Sequence, residues 1–232
     1  MPTLTPTRPQ PGALVSDALV ELQLCELEQK PLGAVGGMIL AGLLPAATKL
    51  RLANLEDAGL CGADNNMSGF RLLVESLPQT KIRRLNLSSN GLGDAGALAL
   101  AAVLRRCPLT HLYLAGNELC GVNMFRSGTH VTGGLKALCE EMPQTQIELL
   151  DLSFNSIRDT GGAHVVAMLE IPDDTPYLSC RMLTRAVLAV AGLGHLARGA
   201  LALAHGGPLG SRAESQPLGW APRCSRGVRG AA

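Results

Sequence analysis

The stretch that decides the fold is Ile82-Arg83-Arg84-Leu85-Asn86-Leu87-Ser88-Ser89-Asn90-Gly91-Leu92, because the chain carries its pattern three times. Residues 109–119 and 147–157 repeat it, with aliphatic side chains at positions 1, 4, 6 and 11 and asparagine at position 9. One such unit cannot bury its apolar face alone, so we expect the copies to stack around a shared aliphatic core. Hydrogen bonds to the turning backbone are predicted for the three position-9 side chains, the structural repeat asparagines Asn90, Asn117 and Asn155.

Two weaker copies precede these three. Residues 19–24 fit the strand part of the pattern but place Leu27 where asparagine is expected. Residues 50–60 fit the pattern with Leu50 at position 1, but a second register with Ala47 at position 1 also fits, and the sequence leaves both open. Apolar residues at helical spacing follow the strand patterns, and Asp94 is the expected N-cap of the helix after the third copy.

The repeats predict an α/β fold, a short solenoid of about five repeats with a curved parallel sheet inside and helices outside. We expect a flexible N-terminal segment over residues 1–16, the repeat array over 17–170, and a poorly structured tail over 171–232. The tail is rich in Ala, Gly, Arg and Pro, which predicts a partly helical or disordered segment. Residues 1–170 carry 13 basic and 16 acidic side chains, whereas the last 62 residues carry seven basic and three acidic side chains. One hypothesis is therefore that the array is cut short near Glu170 and that an unrelated or alternative C-terminus follows.

Residues 47–170, and more loosely 19–44, resemble the ribonuclease-inhibitor-like class of leucine-rich repeats. Nucleotide-sensing immune receptors and Ran GTPase-activating proteins also use this class. The resemblance is carried by Leu85-Asn86-Leu87-Ser88-Ser89-Asn90-Gly91-Leu92-Gly93-Asp94-Ala95-Gly96 and by a copy ending in Asp159-Thr160-Gly161. It implies a protein-binding scaffold in the cytoplasm, with the nucleus as the alternative, and no cofactor. The alternatives are a GTPase-activating or other regulatory module of the Ran-activator type, and a truncated, non-functional product.

Candidate binding residues follow from the alternation of side chains along a strand, which puts positions 3 and 5 on the concave surface. Arginine and tyrosine at these positions have the character of interface anchors. The partner-binding candidates on and beside this surface are Arg51, Asn54, Arg84, Asn86, His111, Tyr113, Asp151 and Phe154. The extended loop over residues 120–130 is a second candidate surface, since insertions in repeat proteins often lie on the binding face. The alternative is an ordinary solvated face with drifting loop lengths.

Motifs and composition argue against several functional classes. No GxSxG, GxxxxGK[ST], HExxH or EF-hand pattern occurs, so we expect no enzyme and assign no catalytic residue. His111, Cys120, His130 and Cys139 match no common zinc spacing, and we expect no metal, with Cys139 packing as a small apolar side chain. The net charge of +1 and the scattered arginine pairs favour neither nucleic acid nor a membrane as partner.

The cysteines and the N-terminal residues bear on the compartment. The seven cysteines are an odd and widely scattered set, which favours reduced thiols over a disulfide framework. The first residues lack the apolar core of a signal peptide, so we do not expect a secreted protein. The partner is therefore expected to be another protein of unknown identity, and the sequence leaves the oligomeric state open.

Overall fold

The computed structural model describes residues 21–24, 31–61, 66–122 and 127–169. The expected N-terminal segment 1–16, Leu19 and Leu27 of the first copy, and the tail 171–232 lie outside these described residues. Within them, no helix is both long and apolar enough to cross a membrane. The longest helices have 12 residues and span about 18 Å, against about 30 Å for the hydrocarbon core of a bilayer.

The described part of the chain contains five strands of three residues each, which form one parallel sheet in chain order. The strands are β1 (Glu21–Gln23), β2 (Leu52–Asn54), β3 (Arg84–Asn86), β4 (His111–Tyr113) and β5 (Leu149–Asp151). One helix follows each strand: α1 (Gly33–Leu43), α2 (Ser68–Ser76), α3 (Gly93–Leu104), α4 (Gly133–Glu141) and α5 (Arg158–Leu169). The predicted α/β solenoid of five repeats is confirmed. We call the sheet face opposite the helices the inner face.

Strand pairing decides between the two registers near Leu50. In the β2–β3 pair, Ala53 lies opposite Leu85, which is position 4 of the clearest copy. Leu50 therefore occupies position 1, and the five pattern residues of this register between 50 and 60 are completely buried. The alternative register, with Ala47 at position 1, is wrong.

The core is aliphatic and runs from repeat to repeat. Position 4 of successive strands supplies Leu85, Leu112 and Leu150, each at most 1% exposed. The helices close the core from the other side, and Phe70 of α2 is the largest side chain that is fully buried. Burying one leucine side chain contributes about 2 kcal/mol, so the repeated pattern positions drive the stacking of the repeats.

Helices α1 and α2 approach each other through glycine backbones. A Cβ atom added at Gly69 would lie 1.9 Å from the carbonyl oxygen of Ala34, and one at Gly37 would lie 2.6 Å from the carbonyl carbon of Gly69. No side chain fits between these backbones. Glycine is required at both positions for close packing, which brings the first two described repeats together.

The expected role of Asp94 as an N-cap is wrong. Helix α3 begins at Gly93, and its N-cap residue Leu92 offers no capping side chain. Asp94 lies in the first turn of α3, and its Oδ1 accepts a hydrogen bond from the backbone N–H of Gly134 at 2.6 Å. Gly134 lies in the first turn of α4, where N–H groups lack intrahelical acceptors and the helix dipole is positive. Asp94 thus caps the neighbouring helix.

Candidate functional site

The position-9 asparagines form a buried ladder of hydrogen bonds at the ends of the strands. Asn117 is completely buried, and its Oδ1 accepts from the backbone N–H of Asn90 at 2.9 Å and of Leu92 at 3.5 Å. Its Nδ2 donates to the carbonyl of Leu87 at 2.8 Å. One repeat further on, Oδ1 of Asn155 accepts from the backbone N–H of Asn117 at 2.9 Å. The ladder joins neighbouring repeats, and so it fixes the relative positions of the strand residues on the inner face.

The position-5 candidates lie on the inner face but present little surface. Asn54 and Asn86 are 3% and 4% exposed, and Asp151 is half-buried. In each, Oδ1 accepts a hydrogen bond from the backbone N–H two residues later, at 3.1, 3.0 and 2.9 Å respectively. This is the geometry of an Asx turn. These three side chains therefore turn the backbone at the end of each strand.

Positions 2 and 3 of neighbouring repeats form a shallow depression of about 340 Å³ on the inner face, which we call the arginine depression. It is lined by Glu21, Arg51, Leu52, Arg83, Arg84, Thr110 and His111. The carbonyl of Arg51 accepts from the N–H groups of Arg83 and Arg84 at 2.8 and 3.0 Å. The carbonyl of Arg83 accepts from those of Thr110 and His111 at 2.8 and 3.0 Å. These backbone bonds hold the lining residues of adjacent repeats about 4.8 Å apart.

Sequence reasoning found only part of this depression. Arg51, Arg84 and His111 are candidates that the fold brings together, but the arginine at position 2 of the third copy, Arg83, was missed. Arg83 could have been predicted from the sequence, because two neighbouring repeats carry arginine at position 2, namely Arg51 and Arg83. Those positions are 32 residues apart in the chain, so only the correct register makes them neighbours.

The depression carries excess positive charge. Arg83 and Arg84 are exposed, and neither forms an ion pair with any residue that the structure describes. Arg51 is held by its own turn, since Nη1 donates to the carbonyls of Thr48 at 2.9 Å and Leu50 at 3.0 Å. Guanidinium groups bind carboxylates and phosphates through paired hydrogen bonds, and the donors of Arg83 and Arg84 face solvent.

Two titratable side chains of β4 lie within the field of Arg84. Burial lowers the pKa of His111, the charge of Arg84 lowers this pKa further, and Glu148 acts in the opposite direction. Tyr113 is 7% exposed, and burial raises the pKa of its hydroxyl. The charge of Arg84 lowers this pKa, and the charge of Asp151 raises it. Arg84, His111 and Tyr113 therefore form one electrostatically connected group.

Phe154 is set apart from this group. It occupies position 8 of the last copy, beyond the end of β5, and its side chain is 77% exposed. Its φ of 59° places it in the left-handed region, which is uncommon for a residue with a large side chain. Phe154 is an exposed aromatic residue and is not among the residues that line the arginine depression.

The extended loop after β4 is anchored to the next repeat at its far end. The N–H of Val131 donates to the carbonyl of Cys120 at 3.0 Å, which closes the loop at its base. Nε2 of His130 lies 3.2 Å from the carbonyl oxygen of Ser156 and 3.3 Å from that of Ile157. Residues 123–126 of the loop lie outside the described part of the chain.

The thiols of the described residues are buried. Burial raises the pKa of Cys61 and Cys120 to about 11, and that of Cys107 and Cys139 to about 12. The prediction that Cys139 packs as an apolar side chain is confirmed, since it lies in the core 4% exposed. Among the described residues, no three His, Cys, Asp or Glu side chains are grouped in a way that would hold a metal ion.

Comparison with known proteins identifies the repeats. The family model described as leucine-rich repeat matches residues 79–101 and 146–164, which contain β3 and β5. A search of curated proteins finds no match. Leucine-rich repeats generally mediate protein–protein interactions, and folds built from them are typically non-enzymatic scaffolds. The five-stranded parallel sheet with its alternating helices, together with the two matched repeats, shows the α/β fold of a leucine-rich repeat solenoid.

Proposed function

We propose that the repeat array binds another protein through its inner face, at the arginine depression. The observation that carries the proposal is the pair of exposed arginines, Arg83 and Arg84, without ion-pair partners among the described residues. Arginine is enriched among the residues that contribute most of the binding energy at protein interfaces. The ladder of buried asparagines supports the proposal, because a rigid surface loses little conformational entropy on binding.

The proposal extends to the array and its class. We assign the binding array to residues 17–170 and the repeats to the ribonuclease-inhibitor-like class. An α-helix of 9 to 12 residues after every described strand supports this class. Four buried free thiols support a reducing compartment such as the cytoplasm, since disulfides are rare there.

Quantitative affinity capture tests the proposal. The full chain and two charge-reversal variants, Arg84→Glu on the inner face and Arg71→Glu on α2, are immobilised and exposed to the same cell extract. Both arginines are exposed, so both variants are expected to fold, which circular dichroism checks. We expect proteins that are captured by the unmodified chain and by Arg71→Glu and lost with Arg84→Glu. Identical captured sets for all three proteins would contradict binding at the inner face.

A further inference from the structure

We propose that the arginine depression recognises a short acidic segment of its protein partner, one that presents at least two aspartate or glutamate side chains in an extended conformation. This inference rests on the proposed function, because it names the chemistry of the partner at the same surface. It follows from charge, spacing and the absence of Phe, Tyr and Trp from the residues that line the depression.

The charge of the depression calls for an anionic partner. Three arginines line it and Glu21 is the one acidic residue in the lining, so the arginine and glutamate side chains leave an excess of two positive charges. Like charges on adjacent strands repel each other. A carboxylate placed between the arginines of adjacent repeats, Arg51 and Arg83, offsets this repulsion, and it accepts charge-assisted hydrogen bonds from exposed arginine donors.

The spacing of the arginines fits an extended peptide. Arg51 and Arg83 lie at the same level on neighbouring repeats, about 4.8 Å apart at the backbone, and Arg84 is one residue further along the strand. Side chains on one face of an extended peptide recur about every 7 Å. Flexible arginine side chains span the difference, so acidic residues at alternate positions reach two guanidinium groups at once.

The charge of the rest of the array favours a short acidic segment over a nucleic acid. Residues 1–170 carry 16 acidic against 13 basic side chains, so their net charge provides no long-range attraction for a long polyanion. Proteins that bind single strands also offer large aromatic side chains on which bases stack, and no Phe, Tyr or Trp is among the residues that line the depression. A carboxylate segment that covers only the depression avoids both difficulties.

Fluorescence anisotropy with defined probes tests the inference. The full chain is titrated into a fluorescein-labelled octapeptide of alternating glycine and glutamate, a matched peptide with glutamine for glutamate, and an oligothymidylate of eight nucleotides. We expect binding of the glutamate peptide alone, and weakening of that binding as salt rises. Arg83→Gln and Arg84→Gln should each raise its Kd about tenfold, whereas the control Arg71→Gln should change it less than twofold.

The outcomes separate this inference from the proposed function. The acidic-segment proposal would be overturned by equal binding of the glutamate and glutamine peptides, or by no binding of either peptide. It would also be overturned by equal Kd values for the glutamate peptide in Arg84→Gln and Arg71→Gln. Preferential binding of the oligothymidylate would overturn it in favour of a nucleic acid. If affinity capture still finds a protein that depends on Arg84, the inner-face function survives and only the acidic chemistry of the partner fails.

Discussion

The replacement Asn117→Ala removes a buried bridge between repeats and should cost about 3 kcal/mol of unfolding free energy. Oδ1 of Asn117 is the acceptor for the N–H groups of Asn90 and Leu92, which are buried at 5% and 2% exposure. A buried donor without an acceptor costs about 1–3 kcal/mol, and the 2.9 Å bond to Asn90 carries most of this. The lost donation to Leu87 adds about 1 kcal/mol at most, since this carbonyl keeps a hydrogen bond from Nδ2 of Asn90 at 2.9 Å.

Urea unfolding followed by circular dichroism at 222 nm measures this loss. The matched control is Asn66→Ala, the same chemical change at an exposed site where Oδ1 accepts from the N–H of Ser68 at 3.0 Å. Water replaces that hydrogen bond, so the control should lose at most about 1 kcal/mol, as helix-capping residues do. A value for Asn117→Ala within about 0.5 kcal/mol of the control would refute the reasoning, because burial would then add nothing to the hydrogen bonds.

Three further predictions concern packing, charge and thiol reactivity. Gly69→Ala should lower Tm by several degrees, because the added Cβ would clash with backbone atoms of α1. The control Gly42→Ala, whose added Cβ would have no atom within 4 Å, should leave Tm unchanged or raise it. A similar loss of Tm in both variants would contradict the close packing of α1 and α2. Arg84→Gln should raise the pKa of His111, as measured by an NMR titration. In the unmodified chain the free energy of unfolding falls as pH drops below 6.5, because the unfolded histidine takes up a proton before the folded one, and this loss should be smaller in Arg84→Gln. An unchanged pKa would show that Arg84 does not act on His111. Cys139 should resist alkylation by iodoacetamide at pH 7.5 in the folded chain and react when the chain is unfolded in urea. Peptide mass spectrometry measures the labelling, and equal labelling in both states would contradict the burial of the thiol.

The repeat pattern predicted the fold because each pattern position has the same environment in every repeat. In the three clear copies, the leucines at positions 4 and 6 lie in the shared core, and the asparagine at position 9 donates hydrogen bonds to the backbone after the strand. The copy near Leu50 was ambiguous because Ala58 replaces the asparagine at position 9, which leaves only aliphatic residues to align. Pairing of Ala53 with Leu85 supplied the information that the sequence of this copy lacks.

Contacts between repeats explain what the sequence did not predict. Asp94 lies where the sequence predicts an N-cap, but it accepts a hydrogen bond from the backbone N–H of Gly134, 40 residues away in the chain. No local sequence pattern predicts this hydrogen bond. The burial of Asn54 and Asn86 likewise depends on neighbouring strands, because each side chain is covered by the adjacent repeats. Long-range contacts of this kind vary with the length of the intervening loops, which the repeat pattern does not constrain.

Site-specific photocrosslinking tests most directly whether the inner face of this leucine-rich repeat solenoid binds a protein partner. A photoreactive phenylalanine analogue is placed at Thr110 in the arginine depression or, as the control, at Leu98 of α3, which is 46% exposed on the helical side. Both full-length proteins are irradiated in the same cell extract, and covalent adducts are identified by mass spectrometry. The account predicts a specific protein adduct from position 110 and none from position 98. An adduct formed from position 98 alone, or equally from both positions, would contradict it.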